Sequence, residues 1–180
     1  MAAYNGRLVD WVLDTIAENW NSDTYSPRLV DRDDSQEFAI TTTGTAVVGD
    51  ATVGQTDAGH ELLGDLTTAN YVGVSSADRT TEVSGWEYDE DVDAVVPIRI
   101  EGYSGGWGHV DDHADFRALT REVERTLKVE RQWPIRPDPD RDGEYYHRLE
   151  FRNQVDQSSN WSDYCRYDAD IVLFGHIDLP

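Results

Sequence analysis

Residues 92–100 read Val-Asp-Ala-Val-Val-Pro-Ile-Arg-Ile, and that order constrains the fold more than any other stretch. Val92, Ala94, Val96, Ile98 and Ile100 fall on one side of an extended chain, and Asp93, Pro97 and Arg99 on the other. A period of two with one apolar side marks a strand with one buried face. Pro97 has no amide hydrogen to give to a ladder, so this strand is expected at a sheet edge or beside a bulge. A glycine-rich loop follows, Gly102-Tyr-Ser-Gly-Gly-Trp-Gly108. From about Asp112, Phe116, Leu119, Val123 and Leu127 then recur at helical spacing. Arg117, Arg121, Glu124 and Arg125 are left for solvent or a partner.

The remaining segments fit around that unit. Residues 5–20 predict a helix, with Leu8, Val9, Val12, Leu13, Ile16 and Trp20 as its apolar stripe and Asn5 placed to cap it. Pro27 stops the chain from continuing as helix. Residues 37–43 read as a strand with Phe38 and Ile40 on one face. Residues 44–70 are rich in Thr, Gly, Ala and Asp and read as a long surface loop or hairpin excursion. Strands are expected at 71–74 and 79–88, then a Pro- and Asp-rich connection at 132–143. Two long strands close the chain. In the first, Tyr145, His147, Leu149 and Phe151 face one way, and Tyr146, Arg148, Glu150 and Arg152 the other. In the second, Tyr167, Ala169, Ile171 and Leu173 face inward, and Arg166, Asp168 and Asp170 outward. Strands come in runs instead of alternating with helices. The expectation is a single α+β domain over residues 1–180, with a largely antiparallel or mixed sheet. The N-terminal helix and one long central helix pack on one face of it.

Charge decides which partners are open to such a domain. The formal net charge is −21, from 36 Asp and Glu against 15 Lys and Arg, and Lys128 is the one lysine. Acid excess with so little lysine suits the cytosol of a halophile. At about 1 M salt the Debye length is about 3 Å, so self-repulsion is screened. The same excess argues against reading nucleic-acid sequence, which needs a basic surface. Cys165 is the single cysteine, which leaves no intrachain disulfide and no cysteine zinc cluster. No stretch reaches the roughly 20 apolar residues of a membrane helix, and the N-terminus has no signal-peptide pattern, so the expected place of synthesis is the cytoplasm.

Several motifs carry possible chemistry. Gly102-Tyr103-Ser104-Gly105-Gly106 matches G-x-S-x-G, and Asp168 and His176 follow in hydrolase order. Against a nucleophile elbow, the helix begins about eight residues beyond the serine, and parallel strands linked by helices are lacking. A small serine hydrolase is therefore the alternative reading from another class. His109 and His113 flank Asp111 and Asp112, a pattern better explained by capping of the central helix than by metal. The glycine loop lacks the Gly-Lys-Ser/Thr ending of a phosphate cradle. The run from Asp138 to Gly143 lacks the closing glutamate of a calcium loop, Leu149 standing at its twelfth position. Trp86, Trp107, Trp133 and Trp161 lie in or beside loops, where large apolar rings serve as flaps over the core of a monomer or as contact anchors in an assembly. With Tyr103, and with Arg148 and Arg152 as cations for a neighbour's carboxylates, Trp107, Trp133 and Trp161 are the candidate subunit or partner contacts.

The helix at 5–20, the strand Ala94-Val-Val-Pro-Ile-Arg-Ile-Glu-Gly-Tyr103, the helix Phe116-Arg-Ala-Leu-Thr-Arg-Glu-Val-Glu-Arg-Thr-Leu127 and the final strand Tyr167-Asp-Ala-Asp-Ile-Val-Leu-Phe174 together have a familiar layout. It resembles the tail-terminator and tail-completion proteins of long-tailed viruses, here one infecting a haloarchaeon. The resemblance implies a structural virion protein of the neck or tail, without catalytic residues or cofactor. Such a protein forms a ring, typically sixfold, that caps the tail tube and joins it to the head-side connector. Its implied partners are further copies of itself, the tail-tube protein, the connector protein, and viral DNA that passes the lumen without specific binding. No membrane is involved. An adaptor or stopper ring of the same neck is the neighbouring alternative.

Overall fold

In chain order the elements are α1 (Leu8–Asn19), β1 (Arg28–Asp31), β2 (Tyr71–Val74), β3 (Asp78–Ser84), β4 (Asp89–Tyr103), α2 (His113–Val129), β5 (Glu144–Asp156) and β6 (Tyr164–Asp178). They belong to a computed structural model that describes residues 8–21, 27–32, 70–75, 78–84, 89–103, 113–129, 144–157 and 164–178. The expected strand at 37–43, the excursion at 44–69 and the cap at Asn5 lie outside the described residues.

The strands form one mixed sheet in the order β1-β2-β4-β6-β5, with β3 also pairing β4. β1 runs parallel to β2, and every other pairing is antiparallel. The α+β class, the N-terminal helix and the central helix are as expected. Val92, Ala94, Val96, Ile98 and Ile100 are all at most 1% exposed and meet Ala169, Ile171 and Leu173 of β6. α1 brings Val9, Val12 and Ile16 to this core, and α2 brings Phe116, Leu119, Val123 and Leu127. Both helices thus cover one face. Trp11, outside the expected stripe, is buried as well.

The central strand is not an edge. β4 lies between β6 on one side and β2 with β3 on the other. β2 pairs the upper part of β4 and β3 the lower part, and their registers differ by one residue between Val74↔Ile98 and Asp78↔Val95. The Pro97 carbonyl accepts from the Ser75 amide at 3.1 Å. In a strand the nitrogen and oxygen of one residue point to the same side. The Pro97 nitrogen therefore faces the register break, where no ladder bond is required. Of the two expectations for Pro97, the edge is not met; β4 keeps an unbroken register with β6 through Pro97, and the one-residue difference lies on the side of β2 and β3.

β5 departs from simple alternation. Its register against β6 shifts between Tyr146 and Arg148, and again between Arg152 and Val155. One inserted residue reverses the facing of everything before it. Tyr146 is therefore fully buried beside Leu149, whereas Tyr145 is half-buried on the opposite side and His147 is exposed. The single face expected for Tyr145, His147, Leu149 and Phe151 is broken by this bulge. Asn153, at the second shift, has φ 51°, a conformation that asparagine accepts more readily than most residues.

The helices are tied to each other through their ends. The Arg125 Nη2 of α2 donates to the carbonyl of Asn19, the last residue of α1, at 2.7 Å. A cation there satisfies an orphan carbonyl and complements the helix dipole. Arg125 also holds Glu122 through Nη2 and Nε, at 2.6 and 2.8 Å. That hydrogen bonding keeps the Glu122 carboxyl below its ordinary pKa. Glu124, expected to be free for a partner, instead accepts from the Tyr167 hydroxyl at 3.0 Å and pairs with Lys128 at 2.8 Å.

Candidate functional site

With both helices on one face, the chemistry of the sheet is concentrated on the other. That face carries Arg28, Val30 and Arg32 from the first strand and its end, Tyr71 from β2, Arg99 and Glu101 from β4, and Arg166, Asp168 and Asp170 from β6. At this end the face is not a solvated surface. Arg99 is 9%, Arg166 8% and Glu101 1% exposed. The Arg99 Nε donates to Asp168 Oδ1 at 2.7 Å, and the Arg166 Nε to Oδ2 at 2.6 Å. Gln157 Nε2 donates to the same Oδ2 at 3.2 Å. One carboxylate thus accepts from two buried guanidinium groups. Burial, with the repulsion of Arg99 next in weight, holds the Arg32 guanidinium below its ordinary pKa. Arg166 was expected to point into solvent. It takes the expected side of its strand, but that side is buried.

Toward the other end the same face opens. Thr80, Glu82, Asp91, Asp93, His147, Arg148, Phe174 and Gly175 surround a groove of about 350 Å³. Thr80, Glu82, Asp91 and Asp93 are exposed. Among the described residues no group of three His, Cys, Asp or Glu side chains is placed to hold a metal ion. No helix among them is long and apolar enough to cross a membrane.

The edge strand β5 supplies the cations of this region. Arg148 and Arg152 place their guanidinium carbons 4.0 and 4.9 Å from the centroid of the Phe174 ring. Glu150 sits between them, 3.1 Å from Arg148 Nε and 2.8 Å from Arg152 Nη2. The two candidate contact arginines are brought together, about half exposed, with an aromatic floor and a shared carboxylate. Tyr103 closes β4 opposite Tyr164, and nothing is described of its side chain. Trp107, Trp133 and Trp161 lie outside the described residues, as do Trp86 and Ser104.

The alternative triad can be judged on its other two members. Asp168 and His176 lie eight positions apart on β6, about 26 Å along a strand. An acid that orients a catalytic histidine must be within hydrogen-bond reach of it. Asp168 is occupied by Arg99 and Arg166, and His176 meets the Tyr145 hydroxyl through Nε2. These two residues do not form one catalytic unit.

The buried cluster escaped reading from the sequence because its members alternate with apolar residues, as solvent-facing charges do. A signal was present all the same. Arg99 and Glu101 sit near the end of one strand and Arg166 and Asp168 near the start of another, so charges of both signs coincide once the two strands pair.

No protein-family model matches the chain, and no match is found among curated proteins.

Proposed function

We propose that the protein is a structural component of the neck or tail of a haloarchaeal virus, forming a ring that caps the tail tube and joins it to the head-side connector. The observation that carries this reading is the two-sided sheet. One face is closed by α1 and α2, and the other carries a charged groove flanked by the arginine-bearing edge strand β5. A domain with different surfaces on its two sides is suited to head-to-tail association, which closes into rings. The net charge of −21 suits a lumen through which DNA slides without sticking, since like charges do not bind.

The test is the mass in solution by light scattering in molar KCl, with particle images of the same sample and addition of the tail-tube protein. The expected outcome is a ring of about six subunits that binds tube ends. A twelvefold ring that ignores the tube would move the protein to the head-side connector. A species that neither forms rings nor binds the tube would end the reading.

A further inference from the structure

We infer that the exposed face of α2 in one copy docks on the open groove of the sheet in the next, with Arg117 and Arg121 of the first against Asp91, Asp93 and Glu82 of the second. The inference rests on the ring reading and specifies its subunit contact.

The first observation is a pair of idle cations. The chain has 15 Lys and Arg against 36 Asp and Glu, so cations are scarce and carboxylates are everywhere. Arg125 and Lys128 of α2 are engaged by Glu122 and Glu124. Arg117 and Arg121, on the same helix, are exposed and form no ion pair among the described residues. Ala118 beside them is exposed too, so the helix surface between the two arginines is low enough for close approach.

The second observation is a set of idle carboxylates on the opposite side of the molecule. Asp91 and Asp93 alternate along β4, and Glu82 lies directly across from Asp91 on β3. All three are exposed, and none forms an ion pair among the described residues. They rim the groove whose wall includes Phe174.

The spacings agree. Residues four apart on a helix lie about 6 Å from each other. Residues two apart on a strand lie about 6.6 Å from each other. Arg117 and Arg121 therefore match the step from Asp91 to Asp93, and Glu82 supplies a third acceptor. Contact pairs sit within a Debye length of about 3 Å even at 1 M salt, so they survive screening that removes longer-range repulsion. Helix face and groove lie on opposite sides of the sheet. The contact is therefore heterologous, which excludes a twofold dimer and leaves a ring or an open stack.

The experiment swaps the charges. One variant carries Arg117→Glu and Arg121→Glu, and the other carries Asp91→Arg and Asp93→Arg. Far-ultraviolet circular dichroism checks the fold of each, and Arg117→Gln with Arg121→Gln replaces the first variant if it does not fold. Alone, each reversal sets like charges against each other and should weaken self-association at least about tenfold. Mixed in equal amounts, the two reversals restore complementarity at every junction, so assembly should return to near the wild-type level. Assembly that persists in both single variants would overturn the docking surface while leaving the ring itself standing. Loss in both without recovery on mixing would overturn the pairing. A wild-type protein that never self-associates would overturn the contact and the ring together.

Discussion

At the scale of single residues, the face opposite the helices depends on Asp168. It accepts from both Arg99 and Arg166, each less than a tenth exposed. Removing one partner of a buried pair costs more than the pair contributes, because the remaining charge stays desolvated. Asp168→Ala should lower stability by about 2–4 kcal/mol in denaturant titration, the lower end reflecting its quarter exposure. Tyr167 makes a different case. Burial first, and the Glu124 carboxylate second, push its hydroxyl pKa well above the ordinary value. The folded state therefore holds that proton more tightly than the unfolded state. The stabilisation is complete below the unfolded pKa of about 10 and is lost as pH rises above it. Tyr167→Phe should be somewhat less stable at neutral pH but should lose less melting temperature between about pH 8 and pH 11 than the wild type.

At the scale of elements, β5 shows what periodicity can and cannot reveal. The apolar stripes of α2, β4 and β6 were legible because each is unbroken: Phe116, Leu119, Val123 and Leu127, then Val92 to Ile100, then Tyr167 to Leu173 are all buried as read. β5 was legible as a strand but not in its facing. A bulge leaves no mark in a run such as Glu-Tyr-Tyr-His-Arg, where the residues on both sides are amphipathic. Across the ladder, beside Tyr146, Gly175 leaves room for the close approach of this strand. A Cβ at Gly175 would collide with the Tyr145 carbonyl and stand 2.8 Å from Tyr146 Cα. Gly175→Ala should therefore destabilise by about 3 kcal/mol or more, or force this end of β5 to detach. At the second bulge, Asn153→Gly should be tolerated, whereas Asn153→Val should cost about 1–2 kcal/mol, read from the same titrations. For the candidate contacts, Arg148 and Arg152 were legible as outward cations. Their convergence on Phe174 was not, because it depends on the register across two strands.

At the scale of the whole molecule, charge sets the working conditions. With a net charge of −21, every approach of two surfaces is opposed unless salt screens it or cations meet carboxylates directly. Lowering KCl from about 1 M to about 0.1 M lengthens the Debye length from about 3 Å to about 10 Å. The melting temperature should fall over that range, and a differential scanning trace at each concentration checks it. Dependence on sodium or potassium chloride alike would mark screening as the cause. The same excess charge explains why function was the least legible level. Composition narrows the surroundings in which the chain is stable, whereas the proposed ring would depend on contacts between copies that no single chain displays.

The register break at Pro97 has a consequence for how the sheet comes apart. Thr80, Thr81 and Glu82 of β3 are exposed, so β3 is held to β4 by little besides its backbone ladder. β2, on the far side of the break, is buried along its length. Unzipping that begins at β3 meets a residue with no amide hydrogen and a shifted register, and among the described residues one backbone bond there, from the Ser75 amide to the Pro97 carbonyl, is left to carry it onward. The proline works as a firebreak: amide protons of β3 should exchange with solvent long before those of β2, and β4 can release one neighbour while keeping its hold on the other.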